Sequence, residues 1–105
     1  NASKKERLGV KIETLDTFGA VSIECVREML SGLNTEAKIA ISGIAGPSGG
    51  SVEKPVGYVV IGVSYREKVI VSEHYFGVTS SREVIQERSS NTALFELYKL
   101  MKVEA

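Results

Sequence analysis

The clearest alternation of apolar and polar side chains lies in the middle of the chain. Residues 57–65 alternate along a strand, and residues 68–76 form a second strand-like run. Two such runs joined by a short connection predict a β-hairpin over residues 57–76. The connecting pair is Arg66 and Glu67, which lacks the asparagine and glycine that favour a two-residue turn. The sequence therefore locates the ends of the turn only to within one or two residues.

A third strand and two helices flank the hairpin. The mostly apolar run Lys38–Ile44 predicts a strand that is buried on both faces. Apolar side chains spaced by three and four predict a helix over residues 23–33, with Ser22 as its N-cap. A shorter helical turn is predicted over residues 15–18, and we expect Thr14 to cap it.

A long helix is predicted over residues 82–102, with Ser80 or Ser81 as its cap. In its second half the large apolar side chains keep the spacing of a single helix face. These side chains are Leu94, Leu97, Tyr98 and Met101. We expect this face to be buried, at a gain of ~1.5–3 kcal/mol for each side chain.

Together these elements predict an α/β fold. We expect a mixed sheet flanked by helices in a three-layer α/β/α arrangement, in which the hairpin supplies an antiparallel pair. Three strands are few for such a fold, so a first strand and helix are expected to be missing. The length of 105 residues predicts one domain over residues 1–105, incomplete at its N-terminus.

Composition narrows the partners. The 13 basic and 13 acidic residues balance, which disfavours a broad surface for nucleic acid. No apolar run is long enough to span a bilayer, and no signal or lipidation motif is present, so no membrane partner is expected and the cytoplasm is the predicted location. The single cysteine, Cys25, and the single histidine, His74, have structural interpretations, and no metal or cofactor is predicted.

A loop rich in glycine and proline joins the first strand to the hairpin. Residues 42–57 hold five of the ten glycines and both prolines. Such a loop can expose backbone N–H groups, which bind anions, although no Gly-Lys-Ser/Thr sequence ends it as in a P-loop. We interpret this loop as one wall of a small-molecule site, while a plain glycine-rich turn is the structural alternative.

The same loop carries a family resemblance. The string Ser42-Gly43-Ile44-Ala45-Gly46-Pro47, followed by Gly49-Gly50 and by Glu53-Lys54-Pro55-Val56-Gly57, resembles the signature of the CinA C-terminal domain family. Asn1-Ala2-Ser3-Lys4, followed by Gly9-Val10, resembles the end of that family's Tyr-Ser-Asn-x-x-Lys segment. The resemblance covers essentially the whole chain, and the family includes nicotinamide mononucleotide deamidases.

The resemblance implies a hydrolase that converts nicotinamide mononucleotide to nicotinic acid mononucleotide and ammonia by a Ser–Lys mechanism. Lys4 stands at the position of the catalytic lysine, and Ser42 stands at that of a hydroxyl residue that assists it. The expected substrate-binding residues are Gly43, Ala45, Gly46, Gly49, Gly50, Lys54 and Arg82. A small-molecule nucleotide is the expected ligand, and a homo-oligomer is the expected assembly.

Two departures from the family pattern leave an alternative open. The family nucleophile lies in a Glu-Ser-Cys-Thr-Gly-Gly motif before the lysine segment, and the sequence contains no such motif, so this fragment alone is expected to be inactive. Ser80 and Ser81 stand where the family has Gly-Asp, and Gln86 stands where it has a second arginine, which Arg88 could replace. The alternative is a non-catalytic nucleotide-binding or interaction module with the same fold.

Overall fold

The computed structural model describes Lys5 and residues 8–77 and 79–104. Three helices and three strands follow one another along these ranges. In chain order they are α1 (Ile12–Phe18), α2 (Ile23–Ser31), β1 (Ala37–Gly43), β2 (Tyr58–Tyr65), β3 (Lys68–Tyr75) and α3 (Arg82–Glu104). None of the helices in these ranges is both long and apolar enough to cross a membrane.

The strands form one sheet in the order β1-β2-β3. Strand β2 is antiparallel to both neighbours, with Gly43 opposite Val59 at one end of β1 and Tyr65 opposite Lys68 at the hairpin turn. The predicted hairpin and the predicted first strand are therefore confirmed. The parallel pair that a mixed sheet needs is not among the three described strands.

Helices pack on both faces of the sheet, which confirms the α/β class and the layered arrangement. On one face, Val26 and Leu30 of α2 pack against Ala40 and Val60. On the other face α3 packs against the sheet, and its buried residues join Val59, Ile61 and Val63 in the second core cluster. Because side chains alternate along a strand, even-numbered residues of β1 face α2 and odd-numbered ones face α3.

The predicted caps of the two longer helices are confirmed. The Ser22 hydroxyl accepts from the backbone N–H of Cys25 at 3.1 Å, and the Ser81 hydroxyl accepts from that of Val84 at 3.2 Å. The cap predicted for the first helix is wrong, because α1 already begins at Ile12 and Thr14 lies within it. The Thr14 hydroxyl instead donates to the Glu28 carboxylate of α2.

The predicted buried face of α3 is also wrong in part. The helix buries Ile85, Ser89, Ala93 and Leu100, and Leu97 packs against the core while staying partly exposed. In contrast, Leu94 is 60% exposed and Tyr98 is 57% exposed. Spacing identified an apolar stripe, but no described element lies on that side of α3 to cover it.

Candidate functional site

A lysine and a serine meet at the end of β1. The Ser42 side chain lies on the α2 face of the sheet, and its hydroxyl donates to the carbonyl oxygen of Ala20 at 2.7 Å. The ammonium of Lys5 donates to the same carbonyl oxygen at 2.6 Å and to the Ser42 hydroxyl oxygen. The three groups form a closed triangle in which the amine and the hydroxyl are held by one main-chain acceptor.

Burial changes the chemistry of this amine. Removal from water disfavours the charged form and lowers the pKa of Lys5, while the nearby Cys25 acts in the opposite direction. Burial likewise raises the pKa of the Cys25 thiol, against the effect of Lys5. Cys25 is fully buried, as its structural interpretation predicts. A lowered lysine pKa makes the neutral amine, and so a proton acceptor, easier to form.

The lysine named by the family motif, Lys4, lies outside the described residues. Its predicted catalytic role stays a prediction. The sequence analysis did not identify Lys5. Its neighbour Lys4 fits the family motif, and nothing in the sequence points to Lys5 except its position next to Lys4.

A second group of predicted residues lines a cavity on the opposite face of the sheet. Its volume is about 420 Å³, in the range of small-molecule sites. The cavity is lined by Ile41, Gly43, Ala45 and Val59 from the sheet side and by Arg82, Ile85, Gln86, Ser89 and Ser90 from α3. Gln86 therefore lies in the cavity, whereas Arg88, its suggested replacement, is not among the lining residues.

Arg82 links the cavity to the glycine loop. Its Nη1 donates to the carbonyl oxygen of Gly46 at 3.2 Å. This bond uses one donor of a guanidinium that has five, so the group keeps the capacity to bind an anion through its planar fork. Gly43, Ala45, Gly46 and Arg82 are thus brought together, and their predicted contacts with substrate stay predictions.

Gly49 and Gly50 allow the loop to fold back on itself. A Cβ at Gly50 would lie 2.7 Å from the backbone nitrogen of Val56, and Gly49 has a φ of +96°. Both line a shallow depression made of loop residues alone, apart from the cavity beside Arg82. Their predicted contacts with substrate stay predictions.

Lys54 is tied to the end of α1. Its ammonium donates to the carbonyl oxygen of Phe18, the last residue of that helix, at 2.8 Å. A cation at this end interacts favourably with the free carbonyls of the helix. This contact accounts for Lys54 structurally, and its predicted role toward a phosphate stays a prediction.

The predicted site residues therefore divide between two faces of one strand end. Ser42 lies with Lys5 on the α2 side, and Gly43 lies with Arg82 on the α3 side, one residue further along β1. Within the described ranges, no group of three or more histidine, cysteine, aspartate and glutamate residues could hold a metal ion. The chemistry available here is that of an amine, hydroxyls and a guanidinium.

Comparison with known proteins gives a consistent result. The chain is 45% identical over 101 residues to a CinA-like protein of Fusobacterium nucleatum, covering 96% of this chain and 25% of that protein. A CinA-like protein of Thermotoga maritima is 44% identical over 106 residues, covering 97% and 25%. The chain thus spans about a quarter of the length of these relatives.

Solved structures agree with the sequence comparison. The competence/damage inducible protein CihA of Agrobacterium tumefaciens superposes with a TM-score of 0.85 at 37% identity, covering 100% of this chain and 64% of that one. A CinA superfamily protein of Klebsiella pneumoniae gives a TM-score of 0.82 at 33% identity, covering 92% and 62%. The family model of the CinA C-terminal domain matches residues 1–101. On these matches, the chain belongs to the CinA C-terminal domain family.

Proposed function

We propose that this domain is part of an amidohydrolase that converts nicotinamide mononucleotide to nicotinic acid mononucleotide and ammonia. The observation that carries the proposal is the contact of the Lys5 amine with the Ser42 hydroxyl, together with the lowered pKa of that amine. A half-buried lysine beside a hydroxyl can act as the base in serine-dependent amide hydrolysis.

In the proposed reaction a serine from the part of the family domain before the lysine segment attacks the carboxamide carbon. The neutral lysine amine takes the proton of that serine as the new C–O bond forms. The resulting ammonium then protonates the amide nitrogen as the C–N bond breaks and ammonia leaves. Water repeats the attack on the acyl-enzyme, which releases the nicotinic acid product and restores the serine.

Ser42 has a positioning role in this scheme. Its hydroxyl donates a hydrogen bond to the Ala20 carbonyl oxygen, so the hydroxyl oxygen can accept one from the lysine amine. The amine is thereby held at the end of β1, where the glycine loop begins. A Ser42→Ala variant keeps the lysine but removes its hydroxyl partner, so turnover should be slower. Ser42→Thr keeps the hydroxyl and should keep much of the rate.

The nucleotide part of the proposal is supported by Arg82. It lines the cavity beside Gly43 and Ala45 and suits a phosphate or carboxylate. Gln86, on the next turn of α3, supplies an amide where the family has a second arginine. We therefore expect weaker binding of the phosphate than in relatives with both arginines, and Gln86→Arg should lower KM more than it changes kcat.

The test is ammonia release from nicotinamide mononucleotide by this chain joined to the preceding part of a family domain. Lys4→Ala and Lys5→Ala are matched variants. Loss confined to Lys5→Ala would assign the base to the amine at Ser42, and loss confined to Lys4→Ala would assign it to the lysine of the family motif. Full activity in both variants would contradict the lysine mechanism.

A second candidate function is a non-catalytic module that binds nucleotides or a partner. It is favoured by Gln86 in the cavity and by the occupied donor of Arg82. For this candidate, nicotinamide mononucleotide would bind to the joined protein with no ammonia released. Titration calorimetry beside the ammonia assay separates the two functions.

Location and assembly belong to the same proposal. A single free cysteine suits a reducing compartment such as the cytoplasm. We also propose a homo-oligomer, since strands with a free edge tend to pair with another chain.

A further inference from the structure

A second, smaller cavity opens between the end of α2 and the sheet, at the end of β1 away from Ser42. Its volume is about 240 Å³, and its walls are Arg27, Leu30 and Ser31 of α2, Lys38 of β1, Ser64 of β2 and Val69 of β3. Lys38 and Ser42 are four residues apart on β1, a separation of about 13 Å. The cavity is therefore distinct from the site beside Lys5.

The register of the sheet builds the floor of this cavity. Lys38 lies directly opposite Ser64, and Ser64 lies directly opposite Val69, so the three form one row across the α2 face of the sheet. The preceding position of β2 on this face is Gly62, on which α2 packs closely. Because α2 ends at Ser31, the space above the row stays open beyond the last turn of the helix.

Ser64 contributes a hydroxyl that has no hydrogen-bond partner within the described ranges. The residue is only 2% exposed. No fully enclosed side-chain nitrogen or oxygen of the described residues lacks a partner, so the small exposure of Ser64 includes its oxygen, at the cavity. Buried polar groups are nearly always paired, and this hydroxyl is therefore an unused donor that faces the cavity.

The charge of the cavity is positive. Neither Arg27 nor Lys38 forms an ion pair with another described residue, and no described residue that lines the cavity is acidic. The carbonyls at the end of a helix oppose an anion. Here two of them are already bonded, since the Arg27 carbonyl accepts from the Ser31 hydroxyl at 3.1 Å and the Glu28 carbonyl accepts from the N–H of Gly32 at 3.0 Å.

We propose that this cavity binds the oxyanion group of a small metabolite, a phosphate or a carboxylate. The Arg27 guanidinium supplies planar donors, the Lys38 ammonium supplies a point charge, and the Ser64 hydroxyl supplies a hydrogen bond. Leu30 and Val69 form apolar walls beside these groups, which suit an apolar body attached to the anion. The proposal does not depend on the amidohydrolase function, because none of these residues belongs to that site.

The test uses the protein of the ammonia assay, in which this chain is joined to the preceding part of a family domain. Inorganic phosphate and butyrate are titrated separately at constant ionic strength, and binding is followed by two-dimensional amide NMR. We expect saturable shifts of the Lys38 and Ser64 amide signals. Tighter binding of phosphate would identify the group as a phosphate, and tighter binding of butyrate would identify it as a carboxylate.

The role of charge is tested by two lysine variants. Lys38→Met should raise the dissociation constant at least about tenfold, because it removes a charged hydrogen-bond donor. Lys68→Met is the matched control, since Lys68 precedes Val69 on β3 and points to the other face of the sheet. Its charge is exposed and screened by salt, so its loss should change the dissociation constant by less than about twofold.

The role of the buried hydroxyl is tested by two serine variants. Ser64→Ala should weaken binding about fivefold without lowering the melting temperature, because the hydroxyl that it removes is unpaired among the described residues. Ser31→Ala is its control and should leave binding unchanged, because the proton of the Ser31 hydroxyl already goes to the Arg27 carbonyl.

Three results would overturn the proposal. The first is the absence of a saturable shift with either probe. The second is equal weakening by Lys38→Met and Lys68→Met, which would assign the effect to general surface charge. The third is wild-type binding by Ser64→Ala, which would leave the hydroxyl without a part in the site. None of these readouts uses ammonia release, so a failure of the proposed activity would leave the anion site intact.

Discussion

The ammonium of Lys5 and the hydroxyl of Ser42 donate to the same acceptor, the carbonyl oxygen of Ala20, at 2.6 and 2.7 Å. The two side chains are 37 residues apart in sequence. Because the shared acceptor belongs to the main chain, the place of the amine does not depend on the ionisation of an acidic partner. The amine is held by position while burial disfavours its charge.

This arrangement predicts a pH dependence of stability. A lowered pKa of Lys5 means that, as pH rises, the folded chain loses this proton before the unfolded chain does. The unfolded state then holds more protons, so stability rises with pH up to the ordinary lysine pKa of about 10.4. Wild type should therefore gain free energy of unfolding relative to Lys5→Met as the pH rises toward about 10.4, measured by urea titration.

The control for this experiment removes two side effects. Lys68→Met, at the exposed start of β3, subtracts the general effect of losing one positive charge. Both variants are compared in a Cys25→Ala background. Burial raises the pKa of the Cys25 thiol, and this makes the free energy of unfolding fall as pH rises. A difference between wild type and Lys5→Met that stays flat with pH would contradict the burial argument.

The contact between α1 and α2 gives a second pH prediction. The Glu28 carboxylate accepts from the backbone N–H of Lys11 at 2.7 Å and from the Thr14 hydroxyl, and these bonds lower its pKa, the backbone bond most. The stabilisation is present above the ordinary glutamate pKa of about 4.3 and is lost as pH falls through the folded value.

Glu28→Gln should consequently melt below wild type at pH 7, and the gap should close as the pH falls below about 4. Thermal melts at a series of pH values measure this gap. Glu87→Gln, an exposed position on α3, is the matched control for loss of a carboxylate. A gap that persists unchanged in acid would mean that the carboxylate charge is not what holds α1 to α2.

Local features could be predicted from the sequence, and features set by distant neighbours could not. The hairpin and the caps Ser22 and Ser81 depend on a few adjacent residues, and they were predicted correctly. Thr14 was misassigned, because its partner Glu28 lies on another helix. The buried side of α3 depends on what packs there, and spacing alone does not distinguish Leu94, which is exposed, from Leu100, which is buried.

The candidate site shows the same limit. The glycine loop and Arg82 could be linked through the family motif, and they do meet at the cavity. The contact of Lys5 with Ser42 could not be predicted, because it joins residues that are 37 positions apart in the sequence. The hydrogen bond from Lys54 to the Phe18 carbonyl also joins residues that are 36 positions apart, and no local sequence pattern reveals it.

The close packing of α2 on the sheet depends on a glycine in β2. A Cβ at Gly62 would lie 2.5 Å from Cγ1 of Val26 and 2.8 Å from Cδ1 of Leu30. Gly62→Ala should therefore destabilise the fold by about 1–3 kcal/mol through overpacking. Urea titration measures the loss, and Gly62→Ala combined with Val26→Ala should cost less than the sum of the two single variants.

The outcome of that cycle is decisive because Val26 is the closest contact. If the two losses simply add, the predicted clash is absent and flexibility of the strand would have to explain the effect of Gly62→Ala. A sub-additive result would instead confirm that the α2 layer sits at a distance set by the missing side chain. Val26→Ala alone is the necessary reference, since it removes buried methyl groups of its own.

The hairpin turn carries backbone strain that a substitution should relieve. Arg66 and Glu67 have φ values of +49° and +71°, the signs that a type I′ turn requires of both central residues. A residue with a Cβ pays about 1 kcal/mol for this conformation, which glycine avoids. Arg66 also contacts Glu36 at 3.1 Å, so Glu67 is the position at which strain can be removed alone.

Glu67→Gly should raise the free energy of unfolding by about 1 kcal/mol in urea titration. Glu67→Ala, which loses the same carboxylate but keeps a Cβ, should give no such gain, and equal stabilisation by both would trace the effect to charge instead of backbone.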